Sequence, residues 1–128
     1  MKLLIAVLLA AFSTGAMAEW TYLDSSDEGN MYIDKTTIHK QENMAVMWIM
    51  GDFKSPHKES DGIPSLSTNT YIALDCANVR FFLRKIMHFS GNMGKGQVVS
   101  SHQYEDIKWQ DIPPGSMLKG MWGIACKK

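Results

Sequence analysis

Cys76 and Cys126 are the only two cysteines in this sequence of 128 residues, and they constrain the fold more than any other feature. An even cysteine pair in a small exported domain reads as a disulfide; the alternative, two buried free thiols, is rare in an oxidising compartment. The bridge would close a loop of about 50 residues and contribute roughly 4 kcal/mol on the chain-entropy view. The N-terminus supplies the premise of export. Lys2 is followed by an apolar run from Leu3 to Phe12 and by Ala16-Met17-Ala18, a small-x-small cleavage pattern. The run is shorter than the ~20 residues a bilayer demands, so no transmembrane anchor is expected. The expectation is a signal peptide over 1–18, cleavage following Ala18, and one periplasmic or secreted domain over 19–128. No cysteine stands at the cleavage point, so a lipoprotein is not expected.

Thirteen Lys and Arg balance 13 Asp and Glu. That balance argues against a nucleic-acid binder, which needs a basic excess, and against a polybasic membrane module. Hydrophobic residues at 45% and charged residues at 20% are those of an ordinary globular domain.

Strands are expected over Glu19–Leu23, with Trp20 and Tyr22 on one side, and at Met31-Tyr32-Ile33, with a turn over Asp34–Thr37. Asn43–Phe53 is apolar at both parities, as a central strand covered on both faces would be. Lys54–Ser65, with two prolines, a glycine and mixed charges, reads as an exposed loop. Ser67–Ala77 places Ile72, Leu74 and Cys76 on one face and Tyr71, Ala73 and Asp75 on the other. Val79–Phe89 alternates Phe81, Leu83, Met87 and Phe89 against Arg80, Arg84 and His88. Gly91–Gly96 is a turn, Gln97–Ser101 a further strand, and Asp106–Gly115 irregular. Ser116 can cap a helix in which Met117, Leu118, Met121, Trp122 and Ala125 recur at helical spacing. Pinned through Cys126 to Cys76, that helix would lie on the face of Ile72 and Leu74. The fold class is α+β: an antiparallel sheet of about six strands with a C-terminal helix packed on one face and tethered by a disulfide.

The search for chemistry is mostly negative. His39, His57, His88 and His102 lack metal-ligand spacing, and no Cys-x-x-Cys accompanies them. Asp24–Gly29 begins like a calcium loop, but Lys35 occupies the position that needs a bidentate glutamate. Gly91–Gly96 is followed by Gln97 and joins strands, unlike a phosphate loop. No serine sits in Gly-x-Ser-x-Gly. Neither catalysis nor a cofactor is expected. Met44, Met47, Met50, Met87, Met117 and Met121 fall on expected core faces and read as packing. Arg80, Arg84 and Lys85 form a small basic stripe, a candidate docking patch for an acidic partner or a polyanion.

Read in order, Trp20, Met31-Tyr32-Ile33-Asp34 with Ile38, Val46-Met47-Trp48-Ile49, Tyr71-Ile72-Ala73-Leu74-Asp75-Cys76-Ala77, Gly91–Gly96, Ile112-Pro113-Pro114-Gly115-Ser116 and Ala125-Cys126 resemble the surface-adhesin protein E-like family of exported bacterial domains. The resemblance implies the same sheet, helix and disulfide, and a non-catalytic binding role. The adhesin that names the family is a surface lipoprotein that binds host matrix and serum proteins and is associated with haem. This chain lacks a lipid-attachment cysteine, and Glu59 and Asp61 interrupt the basic character of Lys54, His57 and Lys58. The expected function is an exported binding domain for a protein partner, a host matrix or envelope protein, engaged through Arg80, Arg84, Lys85, Lys54 and Lys58. The alternatives are a periplasmic carrier holding a haem-like ligand between sheet and helix, with His88 or a methionine as axial ligand, and an enzyme-inhibitor module.

Overall fold

Long apolar stretches flanked by turn-forming residues become long strands here. The computed structural model describes residues 18–58 and 62–127, so the leader expectation lies outside the described residues except at Ala18. Strands β1 (Trp20–Ser25), β2 (Gly29–Gln41), β3 (Met44–Lys58), β4 (Pro64–Asp75), β5 (Arg80–Phe89) and β6 (Val98–Gln103) pair antiparallel in chain order. The two-residue β7 (Gln110–Asp111) pairs with the start of β5. Helix α1 (Met117–Cys126) completes the chain.

The sheet has two unlike faces. On one, Ile33, Ala45, Met47, Ile49, Ile72 and Leu74 pack with Ile112 and with Met121 and Ala125 of α1 in a single buried cluster. On the other, Val46, Ala73 and Phe82 form a smaller cluster against Tyr71 and Trp109. Strands β3 and β4 therefore carry apolar side chains on both faces, one covered by α1 and the other bearing the smaller cluster, which is why β3 is apolar at both parities. Ser116 caps α1 as its sequence predicts, its hydroxyl accepting from Lys119 N at 3.2 Å. Three ties hold the far end. Cys126 is bonded to Cys76, with Cα atoms 5.6 Å apart. Trp122 Nε1 donates to the Asp75 carbonyl at 2.8 Å. Lys40 Nζ donates to the Cys126 carbonyl at 2.8 Å.

Several local expectations are corrected. Asp34–Thr37 does not turn the chain. It makes an irregularity inside β2, where Thr37 Oγ donates to the Asp34 carbonyl and accepts from Trp48 N, standing in for ladder bonds between Asp34 and His39. Much of Lys54–Ser65 is a continued hairpin, with His57 opposite Ser65 and Lys58 opposite Pro64. The prolines are tolerated because Pro64 opens its strand and Pro56 falls in an irregular stretch of the ladder. In β5, Tyr71 faces Lys85 while Ile72 faces Leu83, so Arg84 is an extra residue. That bulge reverses the alternation, and Met87 and Phe89 do not share the face of Phe81 and Leu83. Met44, expected in the core, is 38% exposed. Gly29 shows one steric demand of the sheet: a Cβ there would stand 2.0 Å from the Asp52 carbonyl oxygen.

Candidate functional site

The face opposite α1 carries one transverse row through all six main strands. Trp20 pairs with Asp34, Asp34 with Trp48, Trp48 with Tyr71, Tyr71 with Lys85, and Lys85 with Gln103. Trp20, Trp48 and Tyr71 are each only half-buried. The Trp48 and Tyr71 rings lie 5.0 Å apart at 32°. The bulge brings the exposed Arg84 beside Lys85, and its guanidinium lies 5.6 Å from the Tyr71 ring centre. Nearer the β4–β5 turn, Trp109 meets Phe82 edge-on at 4.7 Å, with the Arg80 guanidinium 5.3 Å from a Trp109 ring centre. Aromatic and guanidinium groups thus lie together on this face, all on strands except Trp109, which stands just before β7.

A cleft of about 350 Å³ interrupts the row between Trp20 and Trp48, with Asp34 at its base and Asn69 and Met87 on its wall. Asp34 is 2% exposed. Its carboxylate accepts from Thr36 N at 3.0 Å, from the Thr36 hydroxyl, and from Glu19 N at 3.3 Å. The turn Gly91–Gly96 folds over the neighbouring part of the face. Met93 N and Asn92 Nδ2 donate to Asp52 Oδ1 at 2.8 and 3.0 Å. Ser67 Oγ donates to the Gly91 carbonyl at 2.6 Å and accepts from Gly94 N at 2.9 Å. Gly94, at φ 72°, brings the turn against Met50 and Asn69 without strain.

The five basic residues singled out from the sequence are not one patch. Arg80 is committed to Asp75, its Nη2 2.7 Å from Asp75 Oδ2. Arg84 and Lys85 lie together on the aromatic row, Arg84 exposed and Lys85 half-buried. Lys54 and Lys58 are exposed near the outer end of β3, about 20 Å and more along the strand from Trp48. The aromatic members of the row escaped sequence reasoning as a site. Their signal was the half-exposed parity of Trp48 and Tyr71, which reads as core until the helix is known to cover the other face.

The layer between sheet and helix, where a carried ligand would lie, is filled by Ile33, Met47, Ile72, Leu74 and Met121, each at most 2% exposed. His88 pairs with Thr68, four residues from Ile72 and about 13 Å along β4. Among the described residues no group of three or more His, Cys, Asp or Glu side chains converges as a metal site requires. No helix among them is long and apolar enough to cross a membrane.

The fold is similar to that of solved protein E structures. The structure of Haemophilus influenzae protein E aligns with TM-score 0.63 at 16% identity, covering 89% of this chain and 88% of that one. The crystal structure of protein E from non-typeable Haemophilus influenzae gives 0.58 at 15% identity, covering 91% and 82%. At such identities the likeness is one of fold. No curated protein sequence matches the chain. The sequence profile of the family described as surface-adhesin protein E matches residues 20–127. This chain belongs to the surface-adhesin protein E family.

Proposed function

We propose that this chain is an exported, non-catalytic binding domain whose aromatic and arginine-bearing face docks a protein partner, a host matrix or envelope protein. One observation carries the reading: the half-exposed row of Trp20, Trp48 and Tyr71 with Arg84 beside it, on the face that α1 leaves uncovered. Trp, Tyr and Arg are the side chains that most often dominate protein interfaces, because they add large contact area at little entropic cost. A sheet pinned by a disulfide loses little further order on docking. Family membership supports an adhesin role. Release after Ala18 into the periplasm or beyond, without lipid attachment, belongs to the same proposal.

The filled layer between sheet and helix weighs against the carrier alternative. The test is direct binding of the chain starting at Glu19 to laminin, to vitronectin and to fractionated envelope proteins at micromolar concentration and low salt. Trp48→Ala and Arg84→Ala should each weaken the observed binding at least tenfold while thermal unfolding stays cooperative. Unchanged binding in both variants would remove the face assignment, and no binding to any of the three would remove the protein-partner reading.

A further inference from the structure

Asp34 is the one carboxylate on the transverse row, and its hydrogen-bond donors among the described residues are all neutral: Thr36 N, the Thr36 hydroxyl and Glu19 N. A carboxylate 2% exposed has lost most of the water that would solvate its charge, and these neutral donors take the place of that water. One of those donors is the nitrogen of the residue at which the leader pattern places the mature terminus. Glu19 N stands 3.3 Å from Asp34 Oδ2, and Trp20, the next residue, pairs with Asp34 across β1 and β2.

We propose that cleavage after Ala18 completes this site, converting the Glu19 amide into an α-ammonium that pairs with the buried Asp34 carboxylate. A signal peptidase supplies the hydrolysis. The Ala18–Glu19 C–N bond breaks, water gives its hydroxyl to the Ala18 carbonyl carbon and its proton to Glu19 N, and a further proton at neutral pH makes the ammonium. The single neutral N–H becomes a cation with three donors, and a charge-assisted bond replaces a long neutral one. Ala18 also lines the cleft between Trp20 and Trp48, so its departure removes part of that wall. The other cleft residues, Trp20, Thr36, Thr37, Trp48, Asn69 and Met87, are neutral, and the charged groups nearby in sequence are the exposed Glu19 and Lys35. Processing therefore anchors the edge strand β1, and with it Trp20, in a form the precursor lacks. The inference rests on the leader reading and is independent of the partner.

The experiment compares three proteins: the chain starting at Glu19 with a free amine, the same chain N-acetylated, and the chain starting one residue earlier at Ala18. All elements of the sheet, α1 and the disulfide lie within residues 20–126, so each retains the whole fold. At pH 6 the free-amine Glu19 form should melt about 4–8 °C above the other two. That advantage should vanish in Asp34→Asn and should fade as pH rises through the raised pKa of the folded-state amine. Coincident melting temperatures, or an advantage that persists in Asp34→Asn, overturn the proposal. Should Asp34→Asn not fold, titration of the Glu19 α-amine in the unmutated protein decides: above the ordinary ~7.7–8.0 supports the pair, and a value within or below that range overturns it. Mass analysis of the exported protein must show a Glu19 start; any other start overturns the biological step whatever the energetics.

Discussion

Arg80 reaches back across the β4–β5 turn to Asp75, placing Nη2 2.7 Å and Nε 3.2 Å from Asp75 Oδ2. The Arg80 hydrogen bonds are the main reason that the Asp75 carboxyl is held down at about 2; burial opposes them, and the Asn78 side chain and the Asn78 and Ala77 amides add to the lowering. The Asp75 carbonyl also accepts from the Trp122 indole N–H, so one residue links the turn, the open face and the helix.

This pair predicts an acid limb. A carboxyl whose folded pKa lies below its unfolded value of 3.8 contributes stability that is present above about pH 4 and lost as pH falls through about 2. Urea midpoints between pH 2 and 7 should fall over that window in the unmutated protein and fall less steeply in Asp75→Asn. Arg80→Ala should remove most of the same limb, at a cost of about 1 kcal/mol at pH 7 because Arg80 is partly exposed.

The disulfide predicts a larger effect. Helix α1 contains Gly120 and Gly123 and is too short and too weak to persist alone. Cys126→Ser should cost roughly 2–5 kcal/mol in denaturant unfolding, and amides of α1 should exchange faster than those of β3 and β4. Equal exchange rates in the two forms would mean that packing of Met121 and Ala125 suffices to hold the helix.

Those same glycines offer the opposite sign. A Cβ at Gly120 or at Gly123 meets nothing within 4 Å, and neither is required by a positive φ. Gly120→Ala and Gly123→Ala should each stabilise the protein by roughly 0.5–1 kcal/mol, through the backbone entropy of the unfolded chain. The gain should be read as a rise in melting temperature.

Where sequence reasoning succeeded, local pattern and global fold agree. The parity of Ile72, Leu74 and Cys76 assigns the helix side of β4, the Cys126 tether places α1 there, and Ser116 marks its start, all of which the structure shows. It failed where a single residue changes the count. The bulge at Arg84 exchanges the faces of everything after it in β5, and no composition cue announces a non-glycine bulge. The stretch Asp34–Thr37 carries turn chemistry that the sheet uses to replace ladder bonds. The row from Trp20 to Gln103 depends on the register of five strand pairs, so its members are far apart in sequence and show no motif. Glu19 and Asp34 likewise meet only through the pairing of β1 with β2.

The positions of the basic residues predict which of them binding will feel. Arg80 is already neutralised by Asp75, so Arg80→Ala should change stability more than affinity. Lys54 and Lys58 stand near the far end of β3, where their charges are screened from the aromatic row by about two Debye lengths at 0.15 M salt. Lys54→Ala and Lys58→Ala should therefore shift affinity less than twofold. Arg84 and Lys85 share the row with Tyr71, and Arg84 lies against its ring. Arg84→Glu should weaken partner binding by tenfold or more, chiefly through faster dissociation. Arg84→Lys should recover only part of the loss, because an ammonium cannot stack flat on the ring as a guanidinium does. Surface plasmon resonance at 50 and 300 mM salt separates the two contributions: the loss from Arg84→Lys should persist at high salt, while the loss from Lys85→Ala should shrink. Full recovery in Arg84→Lys would show that charge alone, without stacking on Tyr71, accounts for the contribution of this residue.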